Sequence, residues 1–514
     1  MVKIYLKHGQ VEIPMQYTRD ILLVHVNSSL LSYQGLNTIS QIEPPIWASM
    51  IAKNLILNGY NVNILDAEVE GLTAKETVLK IDEYKPKLVC FVVYGQHPSA
   101  SSQNMAGVHL CLEELKNNFP FYKTLLVGLY PSALSRKTLE EESCDFVCQG
   151  EGPHTIIGLL ESNMNDISHL RKIPGLWYRD DNNEIVYNHH AQLIPQGKLE
   201  IELPGMAWDL LDMKKYRTAN WHSMTNNNES QPFAALYTSL GCPYKCTFCS
   251  INAPFGNNNV ENSYGRPIFR YWDPEFIITE FDKIADMGIR NIKIADEMFV
   301  LNKNHFLKIC DLIIDRGYDF NIWAYARIDT VREEYLERLQ AAGFNWLALG
   351  IESGNRKVRM DAAKGKFEEV DVKNIVKKIQ SYDINVVGNF IFGLEGDDYS
   401  TMNETYNLAK DLKCEWSSFY SALPHPGSQL YLDTNKSDLP QTYTAYSQHS
   451  YDCTPTPTEY LTSSQILEFR DKSFYSIYKD DEYRKFLEMK FGKNSIIELD
   501  KVLSVKLKRK LLGD

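Results

Sequence analysis

The chain has 514 residues, a formal net charge of −12, and 44% hydrophobic and 23% charged residues. This is ordinary globular composition, long enough for about three or four domains, and the acidic balance argues against a nucleic-acid partner. The longest apolar run, LVCFVVYG at 88–95, has strand length, so no membrane span is expected. The N-terminus lacks the apolar core of a signal peptide, which points to the cytoplasm and reduced thiols.

From about 20 to 160 strand and helix patterns alternate. ILLVHVN (21–27) reads as a buried strand and PPIWASMIAKNLILNG (44–59) as a helix with Pro at its start and Gly at its stop. NVNILDA, LVCFVVYG, KTLLVG and DFVCQG continue the strands, with helices between them. Continuous apolar strands in β/α repeats predict a doubly wound parallel sheet over residues 1–160, an α/β domain of Rossmann-like type. Ligands of such sheets lie outside the carboxyl ends of the strands. The loops there, NSSLLSYQG, YGQHPSASS, VGLYPSA and QGEGPHT, are rich in Gly, Ser and Pro. They allow backbone to approach a large ligand.

Residues 161–232 read as a connector, with a hairpin at IPGLWYRDDNNEIVYN (173–188) and a polar boundary at MTNNNESQP (224–232). A second β/α series fills 233–430, with strands FAALYTS, NIKIADEMF, NIWAYARID, NWLALGIES, NVVGNFIFG and WSSFYSALP. About six parallel strands predict a partial (β/α)6 barrel, open rather than closed, with its site at the carboxyl ends of the strands. Residues 431–514 form a mainly helical C-terminal region after a Tyr-rich stretch, and KLKRK (506–510) reads as a solvated helix face.

Directly after the first barrel strand, LYTSLGCPYKCTFCSINAPFG (236–256) places Cys242, Cys246 and Cys249 within eight residues. Structural zinc takes four ligands, typically as two separated pairs. Three thiolates on one loop instead suit three corners of an iron–sulfur cluster with one iron left open. The other seven cysteines are scattered among apolar residues and read as buried, inert thiols. No Ser/His/Asp or metal-hydrolase constellation is evident.

The C-x3-C-x2-C loop, with Phe248 before its last cysteine, resembles the signature of the radical S-adenosylmethionine (radical SAM) superfamily. The resemblance implies a [4Fe–4S] cluster on Cys242, Cys246 and Cys249, with the open iron chelating the amino and carboxylate groups of SAM. It also implies an electron donor such as flavodoxin or ferredoxin, and reductive cleavage of SAM to a 5′-deoxyadenosyl radical. Asp296 and Glu297 in IADEMF match the family's amino-group acceptors, since a carboxylate suits an ammonium. Arg327 in AYARID either faces the SAM carboxylate or makes an ordinary salt bridge. Glu352 and Ser353 in LGIESGN resemble the polar contacts of the fourth strand, with the ribose hydroxyls as target. NFIFGLEGD (389–397) resembles the G-x-I-x-G strand beside adenine and brings Ile391 there, although Asn389 replaces the first glycine. Phe248 either packs on adenine or belongs to the core.

A doubly wound domain ahead of such a barrel resembles the cobalamin-dependent radical SAM family over most of residues 20–430. The resemblance implies cobalamin contacts from Gly95, Ser99, Ser101, Ser102, Gly128, Gly150, Glu151 and Gly152. The alternative is a domain kept as scaffold. VHVNSSLLSYQG does not match D-x-H-x-x-G, so no histidine ligand to cobalt is expected from that motif; His25 reads as a core histidine and His97 as part of the third strand's turn. The implied function is methylation of an unactivated carbon or phosphorus centre of a small molecule. The alternative is ring contraction, cyclisation or rearrangement without methyl transfer. A methylthiotransferase would carry three further cluster cysteines, whereas Cys90, Cys111, Cys144 and Cys148 fall on strands and a helix. Trp416, Tyr420 and His425, with the Tyr-rich segment, either close over the barrel mouth or simply pack. A polar small molecule is the expected substrate, with peptide and lipid left open.

Overall fold

The computed structural model describes residues 16–95, 100–255, 267–363 and 371–514, and the backbone of two short strands at the N-terminus. Those two, β1 (Val2–Leu6) and β2 (Gly9–Ile13), pair antiparallel. The predicted strands follow as β3 (Arg19–His25), β4 (Val62–Asp66), β5 (Pro86–Val93), β6 (Lys123–Gly128) and β7 (Phe146–Cys148). They are parallel in the order β4-β3-β5-β6-β7, the arrangement of a doubly wound sheet. Helices Ile46–Leu57 and Pro153–Glu161 pack together, as do Ala74–Tyr84 and Ala100–Asn118. Thr73 opens the third of these with a capping box to Glu76.

The hairpin, β8 (Leu176–Arg179) and β9 (Ile185–Tyr187), is no free-standing connector. It extends the first sheet antiparallel to β7, so that sheet has seven strands. The reason is an unpaired edge: Trp177 and Tyr178 bring buried aromatic surface to β7, and its open hydrogen-bonding groups find partners.

The second sheet contains β10 (Phe233–Leu236), then, after the small ribbon β11 (Ser239–Leu240) and β12 (Arg270–Tyr271), β13 (Asn291–Ile294), β14 (Asn321–Arg327), β15 (Phe344–Glu352), β16 (Asn385–Phe392) and β17 (Trp416–Ser421). Its six strands are all parallel, in the order β10-β13-β14-β15-β16-β17, so β10 and β17 are its two edges. Helix Ser463–Tyr478 covers the β17 edge. There the Tyr478 hydroxyl accepts from the Ser417 N–H at 2.8 Å and donates to the Ser417 carbonyl at 2.9 Å.

The KLKRK stretch departs from expectation. Residues 505–509 are not helical, and Arg509 is 1% exposed. Its guanidinium donates to Asp471 at 2.8 Å and to the carbonyls of Ser450 and Gln448 at 2.8 and 2.9 Å. Pairing outweighs the cost of burying this charge. The seven scattered cysteines are buried, and no disulfide forms among the ten.

Two buried ion pairs join the domains. Glu43 meets Lys293 of β13 at 2.7 Å, and Glu151 meets Arg270 of β12 at 2.7 Å. They hold the carboxyl ends of the first sheet against the barrel.

Candidate active site

The cysteine loop is fastened at several points. Thr238 N–H and Oγ1 and Ser239 Oγ all donate to Asp296, each at 2.6 Å. Gly241 has φ +83°, and a Cβ there would stand 2.2 Å from the Ile268 carbonyl. Only glycine takes this backbone without strain or clash. Its N–H donates to Glu297 Oε2 at 3.1 Å. Further along, Thr247 donates to the Ala362 carbonyl at 2.8 Å and accepts from Leu430 N–H at 2.8 Å.

Cys242, Cys246 and Cys249 therefore line a cavity of about 320 Å³ at the carboxyl ends of the barrel strands. Burial pushes the Cys242 thiol up to about 12 and Cys246 up to about 11, with Cys249 well above its ordinary value. Such thiols ionise when a metal takes them. Among the described residues no three His, Cys, Asp or Glu side chains surround a point fit for a single ion. The softness of three thiols lining one cavity suits iron–sulfur.

The remaining expected SAM contacts divide. Glu297, Arg327, Glu352, Ile391 and Phe248 line the cavity with the cysteines. Burial raises Glu297 to about 8 and Glu352 to about 7, the condition of carboxyls that gain from a bound cation. Glu352 sits at a register shift of β15 with φ +66°, and its carboxylate accepts no hydrogen bond from the described residues. Arg327 grips Asp329 through two bonds of 2.9 Å, lies 3.8 Å over the Tyr244 ring, and points Nη1 at Cys246 Sγ at 3.8 Å. It is thus neither a surface salt bridge nor a free cation.

Asp296 and Ser353 stand outside the cavity. Asp296 is fully buried and given over to the loop, as described, and burial raises it to about 6. Ser353 Oγ turns towards Thr405 Oγ1 at 3.2 Å and accepts from Asn355 N–H at 3.2 Å. Both position the site from behind.

The expected cobalamin contacts are mixed in the same way. Ser99 and His97 lie outside the described residues. Ser101 is occupied by the Val93 carbonyl and the Tyr130 N–H. Glu151 is occupied by Arg270 and by Ile194 N–H. Gly128 admits the close approach of β5, since a Cβ there would meet the Val93 carbonyl at 2.2 Å, and one on Gly95 would meet Ala100 Cβ at 2.2 Å. Ser102 is buried in its helix, while Gly150 and Gly152 shape the turn after β7, both with positive φ. His25 is bonded to Asp66 at 2.9 Å, as a core histidine.

What faces the barrel is polar and incompletely satisfied. Tyr94 OH, at the end of β5, and Ser32 Oγ, after β3, are buried without a hydrogen-bond partner among the described residues. Tyr33 and Gln103 of this domain line the cysteine cavity itself, bonded to each other at 3.2 Å. Buried polar atoms without partners cost stability unless a ligand satisfies them, so these strand ends fit a large, amide-rich group.

Sequence reasoning named none of Tyr33, Gln103 and Tyr325, which reach the cavity, while Tyr446, Gln448 and His449 reach it from the Tyr-rich segment expected at the mouth. The Tyr-rich segment was the available signal: Gln448 exchanges hydrogen bonds of 3.0 and 2.8 Å with the Ser421 backbone and pins that segment across the mouth. Tyr420 and His425 join this wall, whereas Trp416 lines a neighbouring cavity.

Comparison with known proteins agrees with this geometry. A family model described as the Radical SAM superfamily matches residues 236–409, and one described as a B12 binding domain matches residues 35–160. An uncharacterized methyltransferase of Pyrococcus horikoshii is 26% identical over 441 residues, 85% of this chain and 88% of that protein. The anaerobic magnesium-protoporphyrin IX monomethyl ester cyclase of Cereibacter sphaeroides is 23% identical over 80% of this chain and 63% of its own length. Among solved structures, the radical S-adenosylmethionine methyltransferase TsrM from Kitasatospora setae, with tryptophan substrate and a SAM analog bound, shares the fold. Its TM-score is 0.63 at 15% identity, covering 95% of this chain and 99% of that one.

Proposed function

We propose that this protein, which belongs to the cobalamin-dependent radical SAM enzymes, is a methyltransferase acting on a small molecule. One observation carries the reading: Cys242, Cys246 and Cys249 line a single cavity together with Tyr33 and Gln103 of the doubly wound domain. Bound there, a [4Fe–4S] cluster, SAM and cobalamin supply reductive SAM cleavage and methyl transfer.

The chain's own part is holding, orienting and excluding water. Cys242, Cys246 and Cys249 hold the cluster. Glu297 and Glu352 offer carboxylates to the cationic and hydroxyl groups of SAM, with Arg327 fixed between Asp329 and Cys246. Ile391 and Phe248 give an apolar wall for the adenine, in a cluster with Val358 and Ala422. Asp296 keeps the cysteine loop in register through Thr238 and Ser239. Tyr94, Ser32 and the loops after β3, β6 and β7 would hold the cobalamin. The electron comes from a small redox protein such as flavodoxin or ferredoxin. A cytoplasmic setting, where thiols stay reduced, suits a cluster held on three cysteines.

Cyclisation or another rearrangement is the second reading, favoured by the likeness to the cyclase. Anaerobic reconstitution with iron, sulfide and hydroxocobalamin separates the two. About four iron and about one cobalt per chain, with SAM converted to both S-adenosylhomocysteine and 5′-deoxyadenosine, is the expected result. 5′-Deoxyadenosine without S-adenosylhomocysteine favours rearrangement, and iron without cobalt overturns both readings.

A further inference from the structure

A second cavity, of about 260 Å³, lies at the seam between edge strand β17, the first domain and the C-terminal helices. Trp416, Ser418 and Tyr420, alternate residues on one face of edge strand β17, form one wall. Ala219–Trp221, from the segment before the barrel, form another, with Trp221 edge-on to Trp323 and Trp346. Leu36 and Ile39 from the first domain and Phe474 and Val502 from the C-terminal helices close it. Three other parts of the chain thus surround the β17 wall without filling the space.

The two cavities share Tyr33, Tyr420 and His449. Tyr33 meets His449 edge to face at 5.3 Å, so two of the shared residues touch through their rings. At about 260 and 320 Å³ the two cavities lie just below and just inside the range of ligand sites, about 300–1,000 Å³; joined, they fall well within it.

The seam cavity's chemistry is uncharged. Its two ionic residues, Arg470 and Asp471, bond each other at 2.6 Å. Arg470 also donates to the Phe419 carbonyl at 2.8 Å, and Asp471 accepts from Arg509 at 2.8 Å. With these charges paired, the rest of the wall is mainly aromatic and aliphatic. A phosphate or carboxylate entering it would lose its hydration without gaining a free counter-charge.

We propose that the seam cavity seats an uncharged, apolar portion of the substrate, whose reacting end passes Tyr33, Tyr420 and His449 into the cysteine cavity. This rests on the methyltransferase reading and narrows its substrate to an elongated, largely apolar molecule. A sugar-like or phosphorylated compound does not suit this wall.

The test is equilibrium dialysis of the fully reconstituted chain against N-phenyl-1-naphthylamine, an uncharged apolar probe. About one probe per chain is expected. Ser418→Trp and Ser40→Trp fill the cavity from different walls, and each should weaken binding by at least about tenfold while iron and cobalt per chain stay unchanged. Met489→Trp, on a side chain 88% exposed, should leave binding as it was. If Ser418→Trp loses its iron, Ser40→Trp decides. No probe bound by the wild type, or wild-type affinity in the filled variants, overturns the proposal. Missing cobalt or cluster in the wild type would instead overturn the parent reading, so the two failures are distinct.

Discussion

Lys293 of the barrel reaches across the domain boundary to Glu43, its Nζ 2.7 Å from the carboxylate, with the two side chains only 1% and 5% exposed. The ammonium also lies 5.1 Å over Trp323 and 5.6 Å over Tyr325, and Tyr325 lines the cysteine cavity. Burial raises the Glu43 carboxyl, and Lys293 opposes that shift. The pair therefore ties the relative placement of the two domains to the floor of the site.

Removing one partner should be costly and removing both much less so. Lys293→Met strands a buried carboxylate, and a loss of about 3–5 kcal/mol is expected. The double variant Lys293→Met with Glu43→Leu should recover most of it. Urea unfolding of the single and double variants measures the difference. Equal losses would show that the pair acts through packing and not through charge.

Replacing Cys242, Cys246 and Cys249 together by Ala should reduce bound iron from about four per chain to near zero and abolish SAM cleavage. The loop's backbone is held by Asp296, Thr247 and Gly241 independently of the thiols. The far-ultraviolet circular dichroism should therefore match the wild type. Iron assay and product analysis check this, and a variant that still cleaves SAM would falsify the cluster assignment.

Much of this was legible from strand patterns and one loop. Apolar runs located both parallel sheets, and C-x3-C-x2-C marked the catalytic end because it follows β10 directly. Contacts between distant segments were not legible. Nothing adjacent to Asp296 says that its oxygens serve Thr238 and Ser239 across a strand crossover. The left-handed turn at Glu352 aims that side chain into the cavity while Ser353 turns behind it. Glycines at strand ends read equally as ligand approach or as chain packing, and at Gly95 and Gly128 the packing is evident. Tyr33 and His449 stand more than 400 residues apart, and only the fold brings their rings together.

Glu352→Ala should weaken SAM binding by at least about tenfold and leave cobalamin binding within about twofold, on the scale of one lost charged hydrogen bond. The carboxylate faces the cysteine cavity, and no described side chain hydrogen-bonds to it. Ser353→Ala, behind the wall, should change SAM affinity much less. Equilibrium dialysis with SAM and with hydroxocobalamin measures both. A larger effect on cobalamin would mean that β15 faces the other cofactor.

Stability of the first domain should fall as pH rises from about 6.5 to about 9. His25 is buried, and although burial alone would lower its pKa, Asp66 at 2.9 Å, Glu68 and Glu43 together outweigh this and lift it to about 9. Its folded pKa exceeds the ordinary 6.5, so the folded state holds the proton more tightly. The contribution is complete below about 6.5 and is lost as pH passes through about 9, at most about 3 kcal/mol. Glu68 acts in the same direction at lower pH. Burial raises it to about 7, so the folded state also binds the extra proton between about 4.5 and 7. Lys293 compensates Glu43 nearby, and Tyr216 OH holds the second Asp66 oxygen at 2.9 Å. His25→Gln should therefore flatten the alkaline part of the profile, leaving Asp66 bonded to Tyr216. Urea midpoints from pH 6 to pH 9.5 read this out, and an unchanged slope in the variant would place the proton linkage elsewhere.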